Sequence, residues 1–422
     1  MTTKPLGRFA ALAGIVLLSG CVKATIAWAP LTPKGPEAEP SVLAALADQP
    51  AINTAEDWEA RRPLVRDILS REIYGLMPTA WETVVDEHKI VDEAAYSALG
   101  SYEELRVEVT PHFDGMDEPL TDAYLLTLVV PKTPGPHPVI MAQADCGPWN
   151  TLPHPDAFRP EGEDVHVVEG LERYIFGRYV CAPPIEDILR AGYAYAEITV
   201  RAVIGGSAET SIEQLRSFVG PNADEQTRWG TIAAWSWMYS TTVDVLRADD
   251  RFDPNRIAAY GHSRHGKAAL HAAGFDDRIA AVVSHQSGTG GASLNRDKAG
   301  ETIAQITEEF SDWFAPVYAT YAGREHELTL DQHHLVALVA PRPVMLGNSR
   351  RDVWSDPNGA IKAARGAAPI YSLYSDEVLK LDRLDAFDPN QTVSFWMRPG
   401  THGVVEEDWP AFLSFLDAHL GD

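Results

Sequence analysis

Three kinds of feature are scarce in this chain of 422 residues: cysteine, positive charge and long apolar runs. Its three cysteines, Cys21, Cys146 and Cys181, are too few for a fold held together by disulfides. Lys and Arg number 35 against 60 Asp and Glu, a net charge of −25. A field of that sign repels phosphate backbones and anionic headgroups, which excludes nucleic acid as a partner. Beyond the first twenty residues no apolar stretch approaches the ~20 needed to span a bilayer. Internal repeats are absent, and so is low-complexity sequence outside one Pro-rich segment, Ala29 to Pro40. What is present is a packed globule's composition, 45% hydrophobic and 9% aromatic. The length suits one large α/β domain with insertions.

The one apolar run, Phe9 to Leu18, follows Lys4 and Arg8 and leads into Leu17-Leu18-Ser19-Gly20-Cys21, the layout of an export signal. The small residues before Cys21 are those of a bacterial lipobox, so residues 1–21 read as a lipoprotein signal peptide with Cys21 as the lipidated residue. A plain secretory signal cut nearby is the alternative. Residues 22–54 read as a Pro-rich tether and 55–422 as a single catalytic domain. The expected location is outside the cytoplasm, on the membrane only through that anchor. Removing Cys21 leaves Cys146 and Cys181 to pair in a compartment that permits disulfides, or to remain as two buried thiols.

Trp58 to Leu76 repeats apolar residues at three and four spacing, as a helix laid on a core does, until Tyr74-Gly75 breaks it. Strand-like runs follow at Leu105 to Thr110, Tyr124 to Val130, Pro138 to Met141 and Tyr193 to Val200, the last after a helical Ile185 to Arg190. From Thr231 onward helical and strand patterns alternate to a closing helix at Glu406 to Leu420. Such alternation predicts a largely parallel sheet with helices on both faces.

Within it, Gly261-His262-Ser263-Arg264-His265-Gly266 stands between the apolar run Ile257 to Tyr260 and a helix-like Lys267-Ala-Ala-Leu-His-Ala-Ala. Strand, tight turn and helix in that order make a nucleophile elbow, in which flanking glycines let the chain turn sharply and lift a serine hydroxyl off the sheet. Ser263 is the candidate nucleophile of an α/β-hydrolase. A serine hydroxyl needs a histidine to take its proton and a carboxylate to orient that histidine. In this fold they follow in the order Ser, Asp or Glu, His, each after a later strand. His402, in Arg398-Pro399-Gly400-Thr401-His402-Gly403 between the last strand and the closing helix, is the candidate base. For the acid there are two candidates past the strand Pro343 to Gly347. Asp356-Pro357-Asn358-Gly359 reads as a helix start with Asp356 as N-cap, which favours Asp352.

These residues, together with Ser284-His-Gln-Ser-Gly-Thr-Gly-Gly291, Gly300-Glu301-Thr302, Asp331-Gln-His-His-Leu335, Ala340-Pro-Arg-Pro343, Asp352-Val-Trp354 and Tyr74-Gly75, resemble the glucuronoyl esterases of carbohydrate esterase family 15. The resemblance runs over most of residues 55–420. It implies an α/β-hydrolase that needs no metal or cofactor and cleaves the ester between a glucuronic acid branch of xylan and a lignin alcohol. Carried over by position, Arg264 would stabilise the oxyanion, Lys267 and Glu301 would bind hydroxyls of the uronic sugar, and Trp354 would offer a flat wall to its ring. Lys267 stands one helical turn beyond Ser263, within reach of a sugar held there. Two departures stand out. Gln286 occupies the position of the catalytic glutamate of fungal members, and an amide cannot be that acid; the aspartate route of other bacterial members is open through Asp352. The stretch Arg201 to Thr227 fits the family poorly. Competing expectations are an acetyl esterase acting on decorated polysaccharide and a glycan-binding lipoprotein with a disabled site.

Overall fold

The computed structural model describes residues 41–421 apart from 47, 117, 144–145, 160–175, 378 and 382–385. The signal segment, Cys21 and the tether up to residue 40 lie outside the described residues. Residues 41–54, read as the end of the tether, pack onto the body instead: Val42 and Ile52 are buried in the main core. Leu43 and Leu46 are partly buried against the same core, and this run of apolar side chains seats the segment there.

A nine-stranded sheet organises the chain, in the order β1-β2-β3-β5-β4-β6-β7-β8-β9. The strands are β1 Ala80–Ala94, β2 Gly100–His112, β3 Asp122–Pro131, β4 His137–Gln143, β5 Ala194–Ile198, β6 Phe252–His262, β7 Ala281–His285, β8 Val344–Ser349 and β9 Val393–Arg398. From β5 to β9 all neighbours are parallel, while β1, β2 and β3 form an antiparallel ribbon joined to the rest through β3 and β5. The parallel strands are buried on both faces, as such sheets must be. Val139 and Met141 of β4 enter one core, with Ile140 and Ala142 between them in the other.

The helices used below are α1 Ala55–Leu69, α2 Ile185–Arg190, α3 Ala208–Val219, α4 Thr231–Arg247, α5 Arg264–Phe275, α6 Ile303–Glu309, α7 Gln332–Ala337, α8 Pro357–Tyr371 and α9 Asp408–Leu420. Side chains of α1, α4, α5, α7 and α8 pack into the first core, and those of α2 and α9 into the second. α1 begins earlier than its apolar spacing predicts, because Thr54 caps it: its hydroxyl accepts from Asp57 N–H while the Asp57 carboxylate accepts from Thr54 N–H. It continues as a π-helical turn over Ser70–Tyr74 and ends at Gly75, whose φ of +90° lies in the left-handed region. The segment at Arg201 to Thr227 includes α3, with four of its side chains buried.

Candidate active site

Ser263 sits at the turn from β6 into α5 with φ +57° and ψ −121°, a conformation few L-residues adopt. The turn is tight enough that a Cβ on Gly261 would collide with the carbonyl of His265, and one on Gly266 would lie 3.0 Å from the carbonyls of Gly261 and His285. This is why glycine stands at both flanks. Ser263 N–H donates to His285 O of the adjacent strand at 2.9 Å, which fixes the strained residue to β7.

The loops after β8 and β9 deliver their side chains to the same point. His402 Nε2 lies 2.9 Å from Ser263 Oγ, and His402 Nδ1 lies 2.6 Å from Asp352 Oδ2. Asp352 is buried, and Ser355 N–H donates to its other oxygen at 3.2 Å. Burial works to raise the Asp352 carboxyl, but the charge and hydrogen bond of His402, with the contacts of Ser355, outweigh it and hold the group below the usual carboxylate range. Asp356 is elsewhere in function: it caps α8, accepting from Gly359 N–H at 3.1 Å.

The other site residues are placed less uniformly. Arg264 follows Ser263 at the first position of α5, where helix N–H groups also point, and its guanidinium lies 5.2 Å from the ring centre of Trp313. Lys267 is buried and donates to Ser287 O at 2.6 Å and Thr289 O at 2.7 Å, so two of its three donors hold the Ser287–Gly291 loop. Burial pulls this ammonium down to about 8, with Glu301 pulling the other way. Glu301 is itself buried, its carboxyl raised by that burial, and accepts from Trp354 Nε1–H at 3.1 Å. Trp354 is 48% exposed, an indole face turned outward beside these groups. Lys267 is thus a loop anchor as well as a neighbour of the site, a role its spacing from Ser263 does not reveal. Cys146 and Cys181 are joined as a disulfide, their Cα atoms 5.6 Å apart. The segment it closes reaches the loop that carries His402: Val404 N–H donates to Phe176 O at 2.8 Å, and Tyr179 N–H to Val404 O at 3.0 Å.

Several residues that shape the site carry no local sequence signal. Ser355 Oγ approaches His402 Nδ1 at 3.3 Å. Arg398 and Asp408 form a fully buried ion pair, Nε to both carboxylate oxygens at 2.9 Å, and the same guanidinium donates to the carbonyls of Pro399, Thr401 and Gly403 around His402. Asp408 opens α9, so its partnership across ten residues follows from folding and not from spacing. His262 and His285 lie underneath, Nδ1 atoms 3.2 Å apart, and the His262 ring centre is 4.7 Å from that of His402. Burial keeps both neutral, His262 well below the usual histidine range and His285 down to about 4. Tyr74 donates to Gly290 O at 3.1 Å, which ties the Tyr-Gly segment to the Gly-Gly loop. Among the described residues no group of three or more His, Cys, Asp and Glu side chains is arranged to hold a metal ion.

Comparison with known proteins agrees with this layout. Residues 223–375 match the family model for fungal glucuronyl esterases, a stretch that contains the nucleophile turn, the Gly-Gly loop and Asp352. A carbohydrate esterase from an unknown prokaryotic organism is 38% identical over 200 residues, 46% of this chain and 46% of that protein. A 4-O-methyl-glucuronoyl methylesterase of Wolfiporia cocos is 32% identical over 149 residues, 33% of this chain and 36% of the relative. The chain therefore spans less than half the length of these curated relatives. Over the whole fold, a promiscuous esterase of carbohydrate esterase family 15 from a marine bacterial metagenome superposes with a TM-score of 0.77 at 27% identity, covering 92% of this chain and 98% of that one. Shared sequence around the elbow and shared architecture across nearly the entire sheet make this chain similar to the glucuronoyl esterases of carbohydrate esterase family 15.

Proposed function

We propose that the chain hydrolyses esters of glucuronic acid or its 4-O-methyl ether through an acyl-enzyme on Ser263. The observation that carries this is the single imidazole of His402 bonded on one side to Ser263 Oγ at 2.9 Å and on the other to Asp352 at 2.6 Å. In the first half-reaction His402 Nε2 takes the hydroxyl proton as Oγ adds to the ester carbonyl, and then gives it to the departing alcohol. In the second, a water gives its proton to the same nitrogen, adds to the acyl carbon, and releases the free uronic acid as the proton returns to Ser263. Asp352, already ionised and buried, holds the Nδ1–H and stabilises the imidazolium at each step. Arg264 and the first N–H groups of α5 stabilise the oxyanion, work worth several kcal/mol of barrier in a water-poor site, roughly 3 to 4 per donor. Glu301 and Trp354 present a carboxyl and an indole face to the uronic sugar, with Lys267 holding the loop beside them. The names of the relatives, glucuronoyl methylesterases among them, support the uronate as acyl group. A lignin alcohol on a xylan branch is the natural ester we assign, and Cys21 the lipid anchor of an exported protein.

The test sets benzyl glucuronate beside para-nitrophenyl acetate with wild type and Ser263→Ala. Turnover of the uronate ester that disappears in the variant supports the proposal. Preference for the acetate would move the chain to the acetyl esterases, and failure of a fluorophosphonate to label Ser263 would leave only a glycan-binding protein.

A further inference from the structure

The residue before Ser287 is a glutamine in left-handed backbone, Gln286 with φ +50°, and its side chain is 1% exposed. A buried amide must place both an acceptor and its donors. Gln286 places them on the two peptide units that flank His402. Its Oε1 accepts from Gly403 N–H at 2.8 Å, and its Nε2 donates to Thr401 O at 3.3 Å and to Ser349 Oγ at 2.7 Å. Ser349 passes the contact on, donating to the same Thr401 carbonyl at 2.8 Å. The backbone takes part as well: Gln286 N–H donates to Gly347 O at 2.7 Å, and Gln286 O accepts from Ser355 Oγ at 3.2 Å, the hydroxyl that also lies beside His402 Nδ1.

We infer that Gln286 is the positioning residue of the base: a neutral clamp from β7 that fixes the rotation of both peptide planes around His402 and so the direction of its ring. The inference rests on the ester-hydrolase reading above. The loop is held from both sides, by Gln286 after β7 together with Ser349 of β8 on one and by Arg398 of β9 on the other. Only the first side is open to a clean test, because truncating Arg398 would leave Asp408 buried without its partner. An amide is required for the pattern. A carboxylate at this position could accept from Gly403 N–H but would turn a second acceptor toward Thr401 O, so glutamate satisfies half of the clamp and alanine none of it.

The experiment compares wild type, Gln286→Ala and Gln286→Glu in three measurements: kcat and KM on benzyl glucuronate, the rate of fluorophosphonate labelling of Ser263, and the low-field proton resonance of the His402 Nδ1–H. A displacement of the base by about 1 Å costs on the order of a hundredfold, so Gln286→Ala should lower kcat and the labelling rate together by ten- to a hundredfold. KM should stay within about threefold, since the clamp touches no substrate, and the low-field resonance should broaden or shift. Gln286→Glu should fall between the two. The labelling rate does not depend on which ester is the natural one, so loss of labelling in wild type would overturn the hydrolase reading, and normal labelling in both variants would overturn the clamp alone. A folded Gln286→Ala with the wild-type resonance, or a loss no larger than its unfolded fraction measured by thermal melting, overturns the inference equally.

Discussion

The two halves of the sheet differ in how they treat their side chains. In the parallel half, β4 to β9 are buried on both faces, and the loops leaving the carboxyl ends of β6, β7, β8 and β9 carry Ser263, Gln286, Asp352 and His402 to one point. In the antiparallel ribbon, β1 runs for fifteen residues along the edge with Val84 54%, Val85 41% and Ile90 52% exposed, and none of the site residues comes from it. Parallel strands all point their loops the same way, so four chain segments converge at one end without further machinery. Antiparallel strands alternate their ends and scatter their loops. The difference teaches that the chemistry depends on the orientation of strands more than on their number.

The widest gap between the halves is expected at the nucleophile. Ser263→Ala should lower kcat by about 10⁶-fold, measured on benzyl glucuronate, because among the described residues no other hydroxyl lies on His402 Nε2 to accept the acyl group. Turnover within tenfold of wild type would remove Ser263 from the proposal.

Next is the acid. Asp352→Asn should cost about 10⁴-fold in kcat, the scale seen when an orienting carboxylate becomes an amide. Asp356→Asn, four residues on, keeps a cap of comparable strength and should remain within tenfold. A reversal of these two results would mean that the Asp352 contact is not the one used.

Within the site, Glu301→Gln should reduce kcat/KM on benzyl glucuronate by ten- to a hundredfold and change para-nitrophenyl acetate hydrolysis only a few fold, as a contact to the sugar would. Lys267→Ala is expected to behave differently. It releases the carbonyls of Ser287 and Thr289, so both substrates should suffer and the melting temperature should fall. Equal losses on both esters for Glu301→Gln would leave the uronate pocket without support.

Glu197 of β5 stands at the seam, between Thr127 of β3 and Ala142 of β4, and accepts a hydrogen bond from the Thr151 hydroxyl. Burial pushes its carboxyl up to about 7, the hydroxyl acting in the opposite sense. A raised carboxyl binds its proton in the folded state across a window where the unfolded chain has already lost it, from about 4.5 to about 7. Stability is therefore full below that window and declines as pH rises through it, by on the order of 3 kcal/mol. Glu197→Gln should flatten this dependence and melt higher than wild type at pH 8 but not at pH 4. Parallel curves for the two proteins would show that the carboxyl is already compensated at the seam.

At the edge the expectation is smallest. Val84→Thr and Ile90→Thr should shift stability by less than about 0.5 kcal/mol and leave kcat unchanged, since both side chains are about half exposed in the folded protein. A loss above about 2 kcal/mol would mean that the ribbon's outer face is covered in solution.

The sequence by itself determined the features that repeat along the chain or depend on immediate neighbours. The alternation of apolar strands and amphipathic helices from Thr231 onward specifies a mostly parallel sheet, because a strand buried on both faces and a helix buried on one leave different periods. Gly261 and Gly266 announce the elbow, since no side chain fits at that turn, and the Asp-Pro start of α8 separates Asp356 from Asp352 by cap chemistry alone. The long edge strand β1 was not legible: Glu82, Asp86, Glu87, His88 and Lys89 interrupt any alternation, and an edge that covers little core has no burial to impose one. Nor was the second duty of Lys267, whose carbonyl partners lie twenty and twenty-two residues away. Only the tertiary structure decided how His402 is held, by Gln286 at a separation of 117 residues from Gly403 and by a guanidinium whose counter-ion opens the last helix. Contacts of that kind are fixed by where parallel strands end in space. Local propensity and periodicity, which act over a few residues, leave no trace of them.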